Sequence, residues 1–275
     1  MIILPLHTPI LKHGDDLAAL LLMAGPMQSG DIIAVSSKAI ATVEGARIDL
    51  TNVTITADAE RYAKETGRSA RFIQAAIEET QRLNGQILSA SPGALLTQVR
   101  PAGLPTGTIL TANAGLDESN VEPGFAIGWP SAPVTSAVQL KKTLEASMTS
   151  TPSVSSDSSI SSPQQNSALP LKLATIITDS TCHPRRTGVT AFALACAGID
   201  PIVSERGKKD LFERDLRITN EAVADQLATA ANAVMGNAGQ SVPAAIIRDH
   251  GIALSDFAGW VPGIEPEEDL FRGVI

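Results

Sequence analysis

Two short polar knots set in apolar sequence are the places where this chain could do chemistry. The first is Asn113-Ala-Gly-Leu-Asp-Glu-Ser-Asn120, where carboxylate and carboxamide side chains surround a glycine, a composition that favours turns and can present oxygen ligands. The second is Thr178-Asp179-Ser180, followed by His183-Pro-Arg-Arg186 and Gly188. Two carboxylates from distant segments, with arginines nearby, suit a magnesium–phosphate site, because hard oxygens hold the cation and guanidinium groups hold phosphate bidentately. The same residues also admit a structural reading, in which Asp117 and Asn120 cap a turn and Asp179 pairs with Arg185 or Arg186. Spacing alone leaves both open.

Several familiar sites are missing. No G-x-x-x-x-G-K-[ST] or G-x-G-x-x-G occurs, so neither a P-loop nor a dinucleotide-binding turn can be invoked. No H-E-x-x-H or C-x-x-C pair occurs, the four histidines have no zinc-ligand spacing, and there is no G-x-S-x-G elbow.

The knots need elements to position them. Asp31-Ile-Ile-Ala-Val35 reads as a buried strand leaving a turn, with Ser36, Ser37 and Lys38 directly behind it. Ser69 to Leu83 has helical spacing, with Phe72, Ile73, Ala76 and Ile77 inward and Arg71, Glu78, Glu79 and Arg82 outward. Leu173 to Thr178 reads as a strand that delivers Asp179 and Ser180 to its carboxyl end, where α/β proteins place ligands. Thr219 is positioned to cap a helix carrying Val223, Leu227, Ala231 and Val234 on one stripe, which Gly236 stops. Ala244 to Ile247 is a further strand. This interspersion predicts an α/β fold of the mixed α+β kind.

Length and charge bound the rest. With 275 residues, 44% of them hydrophobic, the chain has ample material for a core. Aromatic residues are only 3% and the formal charge is −8, so stacking platforms and basic stripes for nucleic acid are lacking. Two cysteines, Cys182 and Cys196, are too few for a disulfide framework and suit a reducing compartment. The N-terminal MIILPLHTPILKHGDD has no basic n-region, and Leu17 to Gly25 is too short to span a bilayer, so the expectation is a cytoplasmic protein with neither membrane nor nucleic-acid partners. Ten serines among residues 147–168 mark a disordered insertion between structured parts at 1–146 and 169–275.

At the two knots the sequence resembles the coenzyme F-420 gamma-glutamyl ligases. The matching stretches are Gly30-Asp31 with Ser37-Lys38 and Glu44-Gly45, then Asn113 to Asn120, then Ile176-Ile-Thr-Asp179 and Arg186-x-Gly188. Ala197-Gly-Ile199, Arg206-Gly207 with Asp210, and Ala224-Asp225 through Met235-Gly236 follow in family order. The resemblance implies a two-domain fold, an intertwined homodimer, and a ligase that uses GTP and Mg2+ or Mn2+, with K+ a further candidate, to join L-glutamate to a carboxylate-bearing acceptor through an acyl phosphate. It assigns the metal to Asp117, Asp179, Ser180 and Asn237, and catalysis to Asp117, Asp179 and Arg186. Nucleotide contacts fall to Thr8, Pro9, Ile10, Leu11, Ser37, Lys38, Asn120, Met235 and Gly236.

Five positions depart from the family pattern. Thr42 stands where a second Ser-Lys pair would supply a lysine, Asn237 replaces an acidic residue or Gln, Cys182-His183 replaces Gly-Arg, and Glu213 stands at a glycine position. The positive charge lost is expected at the nucleotide and metal end. Two alternatives accompany the ligase reading: the same chemistry on a folate-like acceptor, and a degenerate paralogue that binds nucleotide without catalysis.

Overall fold

A computed structural model of the protein describes residues 1–149 and 171–273. In chain order its elements are β1 (Ile2–Leu6), α1 (Leu17–Ala24), β2 (Ile32–Ser36), α2 (Ser37–Val43), β3 (Arg47–Asp49), α3 (Ala57–Thr66) and α4 (Ala70–Arg82). Then come β4 (Gln86–Ser91), β5 (Ala94–Val99), β6 (Ile109–Ala112), β7 (Phe125–Ile127), α5 (Pro133–Thr149), β8 (Ala174–Thr181) and β9 (Thr190–Ala197). β10 (Val203–Ser204), β11 (Asn220–Glu221), α6 (Val223–Met235), β12 (Ala244–Arg248) and β13 (Ala258–Trp260) complete the chain. The mixed α+β class is as expected.

A six-stranded sheet, ordered β1-β12-β2-β8-β9-β13, forms the frame. Its pairings are antiparallel except for β2 beside β8, which run parallel with Ser36 opposite Thr178. Alternation along β2 covers both faces of the sheet. Ile33 and Val35 pack with Leu17 and Leu21 of α1 and Leu140 and Leu144 of α5, whereas Ile32 and Ala34 pack against α6. The contact face of α6 is rich in alanine: Ala224, Ala228 and Ala231 are fully buried, which lets the helix lie close on the sheet. Leu227 is the large side chain on that face, and its truncation to Ala would cost about 2–5 kcal/mol. A separate cluster built on Phe72, Ile73, Ala76 and Leu95 holds α3 and α4 against the antiparallel sheet β4-β5-β6.

Three expectations need correction. Glu79 does not face solvent: it is buried, and Arg82 one turn later donates two hydrogen bonds to its carboxylate at 2.6 and 2.7 Å. Thr219 does not cap α6, because the next two residues are drawn into β11 opposite β10 and the chain stays extended until Ala222. The disordered insertion expected over 147–168 does not include 147–149, which continue α5; the rest of that segment lies outside the described residues. Of the two cysteines, Cys182 is exposed and Cys196 buried, and burial with the charges of Asp200 and Asp225 pushes the Cys196 thiol up to about 12.

Candidate functional site

The carboxyl ends of β2 and β8, the parallel pair, open onto a cavity of about 620 Å3. This is where open α/β sheets place ligands. Because Ser36 lies opposite Thr178, the next residues of each strand meet: Lys38, in the first turn of α2, donates to Asp179 Oδ1 at 2.9 Å. The Lys38 ammonium also lies 3.9 Å from Asp117 Oδ2, so two carboxylates from distant segments converge on one positive charge. Asp179 is nearly enclosed, with 6% of its side chain exposed against 24% for Lys38.

Each carboxylate is held by more than the lysine. Trp129 donates its indole N–H to Asp179 Oδ2 at 2.6 Å. Ser119 donates both its hydroxyl and its backbone N–H to Asp117, whose own backbone is paired with Ile127 of β7. Burial opposes charge on Asp117, yet the Ser119 hydroxyl, the Lys38 ammonium and the N–H groups of Ser119 and Glu118 keep its carboxyl below the usual carboxylate range. Burial likewise disfavours the Lys38 ammonium, but the charge and hydrogen bond of Asp179, together with Asp117, outweigh it and raise the lysine pKa.

The Asn-Ala-Gly turn serves this arrangement indirectly. Asn113 Oδ1 accepts the Leu95 N–H at 2.9 Å, and the Thr97 hydroxyl accepts that of Ala114 at 3.0 Å, which ties the turn to β5. Gly115 has φ +82°, and a Cβ there would lie 2.5 Å from the Trp129 indole. Only glycine lets Trp129 sit close enough to reach Asp179.

Twelve of the residues singled out in the sequence line this one cavity: Thr8, Pro9, Ile10, Leu11, Lys38, Asp117, Asn120, Asp179, Ser180, Met235, Gly236 and Asn237. The segment from Thr8 is stitched to the loop beyond α6 by Thr8 N–H donating to Ser241 O at 3.1 Å. Ser180 donates its hydroxyl to Asn237 Oδ1 at 3.0 Å, so both oxygens face the same space. Two residues stand apart. Ser37 is fully buried, with its hydroxyl unpartnered, and does not line the cavity; Arg186 lies on the loop after β8, outside it. Asp179 pairs with Lys38 and Trp129, not with Arg185 or Arg186. The departures are also divided: Thr42 and Asn237 line this cavity, whereas His183 lines a second one. Glu213 adopts φ +63°, so that position keeps the left-handed backbone a glycine would favour.

Sequence reasoning missed Trp129 and Ser119. An indole among the two in the chain, following a glycine, was the available signal, since a buried indole N–H needs an acceptor.

The oxygen donors Asp117, Asp179, Ser180 and Asn237 suit a hard divalent cation, and the ammonium held between the two carboxylates shows that the spot favours positive charge. A polar cleft at the carboxyl ends of a parallel strand pair, with two carboxylates brought together on a lysine, defines a ligand-binding α/β protein. Residues 5–249 match the family described as F420-0:Gamma-glutamyl ligase, and the chain belongs to that family. It is 33% identical over 273 residues, 96% of each chain, to the coenzyme F420:L-glutamate ligase of Methanothermobacter thermautotrophicus. It is 36% identical to that of Methanosarcina acetivorans over 87% of this chain and 82% of the relative. For the Methanopyrus kandleri ligase the figures are 30%, 95% and 86%.

Proposed function

We propose that this chain is a cytoplasmic ligase that joins L-glutamate to the carboxylate of a coenzyme F-420-0-like acceptor, with GTP as co-substrate and Mg2+ or Mn2+ at Asp117 and Asp179. The observation that carries the reading is the convergence of those carboxylates on Lys38 at 3.9 and 2.9 Å in a cavity that also holds Ser180 and Asn237.

The chemistry follows from the inertness of a carboxylate as an acyl donor. An acceptor carboxylate oxygen attacks the terminal phosphorus, the bond to the bridging oxygen breaks, and GDP leaves. The glutamate ammonium gives one proton to solvent, its freed lone pair attacks the acyl carbon, phosphate departs with the electron pair of the C–O bond, and the nitrogen releases a second proton to solvent to leave the amide. A divalent cation neutralises charge on the phosphates when bound. The protein's own part is positional: Asp117 and Asp179 would hold the cation, Trp129 fixes Asp179 by its indole N–H, and Lys38 would supply a positive charge to the phosphates. Asn120, Met235, Gly236 and the stretch Thr8 to Leu11 form walls of the cavity that would take the nucleotide.

A paralogue that binds without catalysis is favoured by one observation. Thr42 gives its hydroxyl to Lys38 O at 2.7 Å, so this wall of the cavity offers no second cation. The fully exposed Leu211, with Phe212 at 76% and Ile218 at 84% exposed on the arm between β10 and β11, supports a homodimer. Light scattering tests it.

Mass spectrometry after incubation with GTP or ATP, Mg2+ or Mn2+, L-glutamate, and a deazaflavin or folate acceptor tests the activity. A deazaflavin product heavier by one glutamyl unit is expected with GTP. A folate product would reassign the acceptor, and no product despite bound nucleotide would replace the ligase by the binding paralogue.

A further inference from the structure

A second cavity, of about 460 Å3, lies between the sheet β4-β5-β6, the ends of β8 and β9, and the chain after β13. The two cavities share a wall. In the antiparallel register Asp179 lies directly opposite Phe192, which places their side chains next to each other on one face of the sheet. Asp179 lines the first cavity and Phe192 the second. Trp129 touches both, donating to Asp179 at 2.6 Å and meeting the Phe192 ring edge-on at 6.3 Å between centroids. Along β8, Asp179 faces one cavity and Thr181 the other, about 7 Å further on.

The lining has the character of a ring site. Leu88, Leu110, Ile264 and Phe271 line it, yet they belong to none of the three core clusters of the described residues. Ile264 and Phe271 are 50% and 41% exposed. Apolar side chains held at a cavity instead of a core suit a flat apolar ligand. Gln98, Thr181 and His183 offer hydrogen bonds beside them, and Arg272 a positive charge, with the carboxylates of Asp225 and Asp269 also in the lining. Glutamate, with three charged groups on a short stem, has no use for such walls.

We propose that this second cavity binds the heteroaromatic ring of the carboxylate-bearing acceptor, with its tail directed past Thr181 toward Asp179. The inference rests on the ligase reading and adds the place where the acceptor's ring is held. The test is binding of F-420-0, followed by its own fluorescence, to the full chain and to Leu88→Trp and Leu110→Trp, which fill the cavity. Binding weakened about tenfold or more, with GTP affinity unchanged, is the expected result. Hydrogen exchange on the unsubstituted protein gives a readout independent of how the variants fold: F-420-0 should slow exchange at Thr108 to Leu110 and Val261 to Ile264. Unchanged affinity in folded variants, or protection confined to the first cavity, overturns the inference. Absence of any ring binding overturns both it and the ligase reading. Binding with the expected protection but no glutamylated product overturns the ligase reading alone.

Discussion

Replacing Lys38 by Met separates what the ammonium does from what a metal would do. Methionine keeps the length of the stem and removes the charge, so Asp179, with 6% of its side chain exposed, is left with Trp129 as its side-chain hydrogen-bond donor. Breaking a buried pair by removing one partner costs about 3–5 kcal/mol. Lys38 itself is a quarter exposed, which puts the expected loss at the low end, about 3 kcal/mol. For a chain of this size that is a fall in melting temperature of about 6–12 °C. The assay is thermal unfolding in EDTA and then in millimolar Mg2+ or Mn2+. If Asp117 and Asp179 form a cation site, the added metal replaces the missing ammonium and restores most of the lost stability, with a larger shift than in the unsubstituted protein. An equal loss with and without metal would show that the carboxylates do not hold a cation, and no loss in EDTA would show that the ion pair does not stabilise the fold.

Other substitutions test the supporting structure. Gly115→Ala forces a Cβ into the Trp129 indole at φ +82°, and should cost about 2–4 kcal/mol in chemical denaturation while lowering turnover through a displaced Asp179. Asp31, 1% exposed, receives bonds from Arg248 at 2.6 and 2.8 Å; Asp31→Asn should lose about 3 kcal/mol by the same measurement. Thr42→Lys should tighten GTP binding in calorimetry by placing a cation at the bare wall of the cavity. Burial pushes the Asp225 carboxyl up, against the Ala193 N–H and the charge of His183. An acid raised on folding costs stability as pH rises through its native pKa, so Asp225→Asn should raise the melting temperature at neutral pH and lose that advantage near pH 4.

Much of the frame was legible because local rules governed it. Ser69 caps α4 by accepting the Phe72 N–H, strands β2 and β12 coincide with apolar runs, and β8 runs past the expected end at Thr178 to Thr181. The first knot was legible as an oxygen-rich turn and the second as the end of a strand, and Asp117 and Asp179 line one cavity. What escaped depends on distance along the chain. Lys38 and Asp179 are 141 residues apart and meet through the parallel register of β2 and β8, which no local pattern encodes. Trp129 reaches Asp179 across 50 residues, and the glycine that makes room for it belongs to a turn whose asparagine looked like the functional residue. Glu79 followed helical periodicity outward, but a partner three residues on allowed it to be buried. Thr219 had the chemistry of a cap and lost the position to strand pairing.

The central claim is that Asp117 and Asp179 hold the cation of a glutamate-adding ligase. Its most direct test is phosphate release from GTP with Mg2+, with and without L-glutamate and F-420-0, by the unsubstituted protein and by Asp117→Ala and Asp179→Ala. Release that requires both glutamate and acceptor, and that disappears in both folded variants, is the predicted result. Release that persists in both variants, or that ignores glutamate, would contradict it.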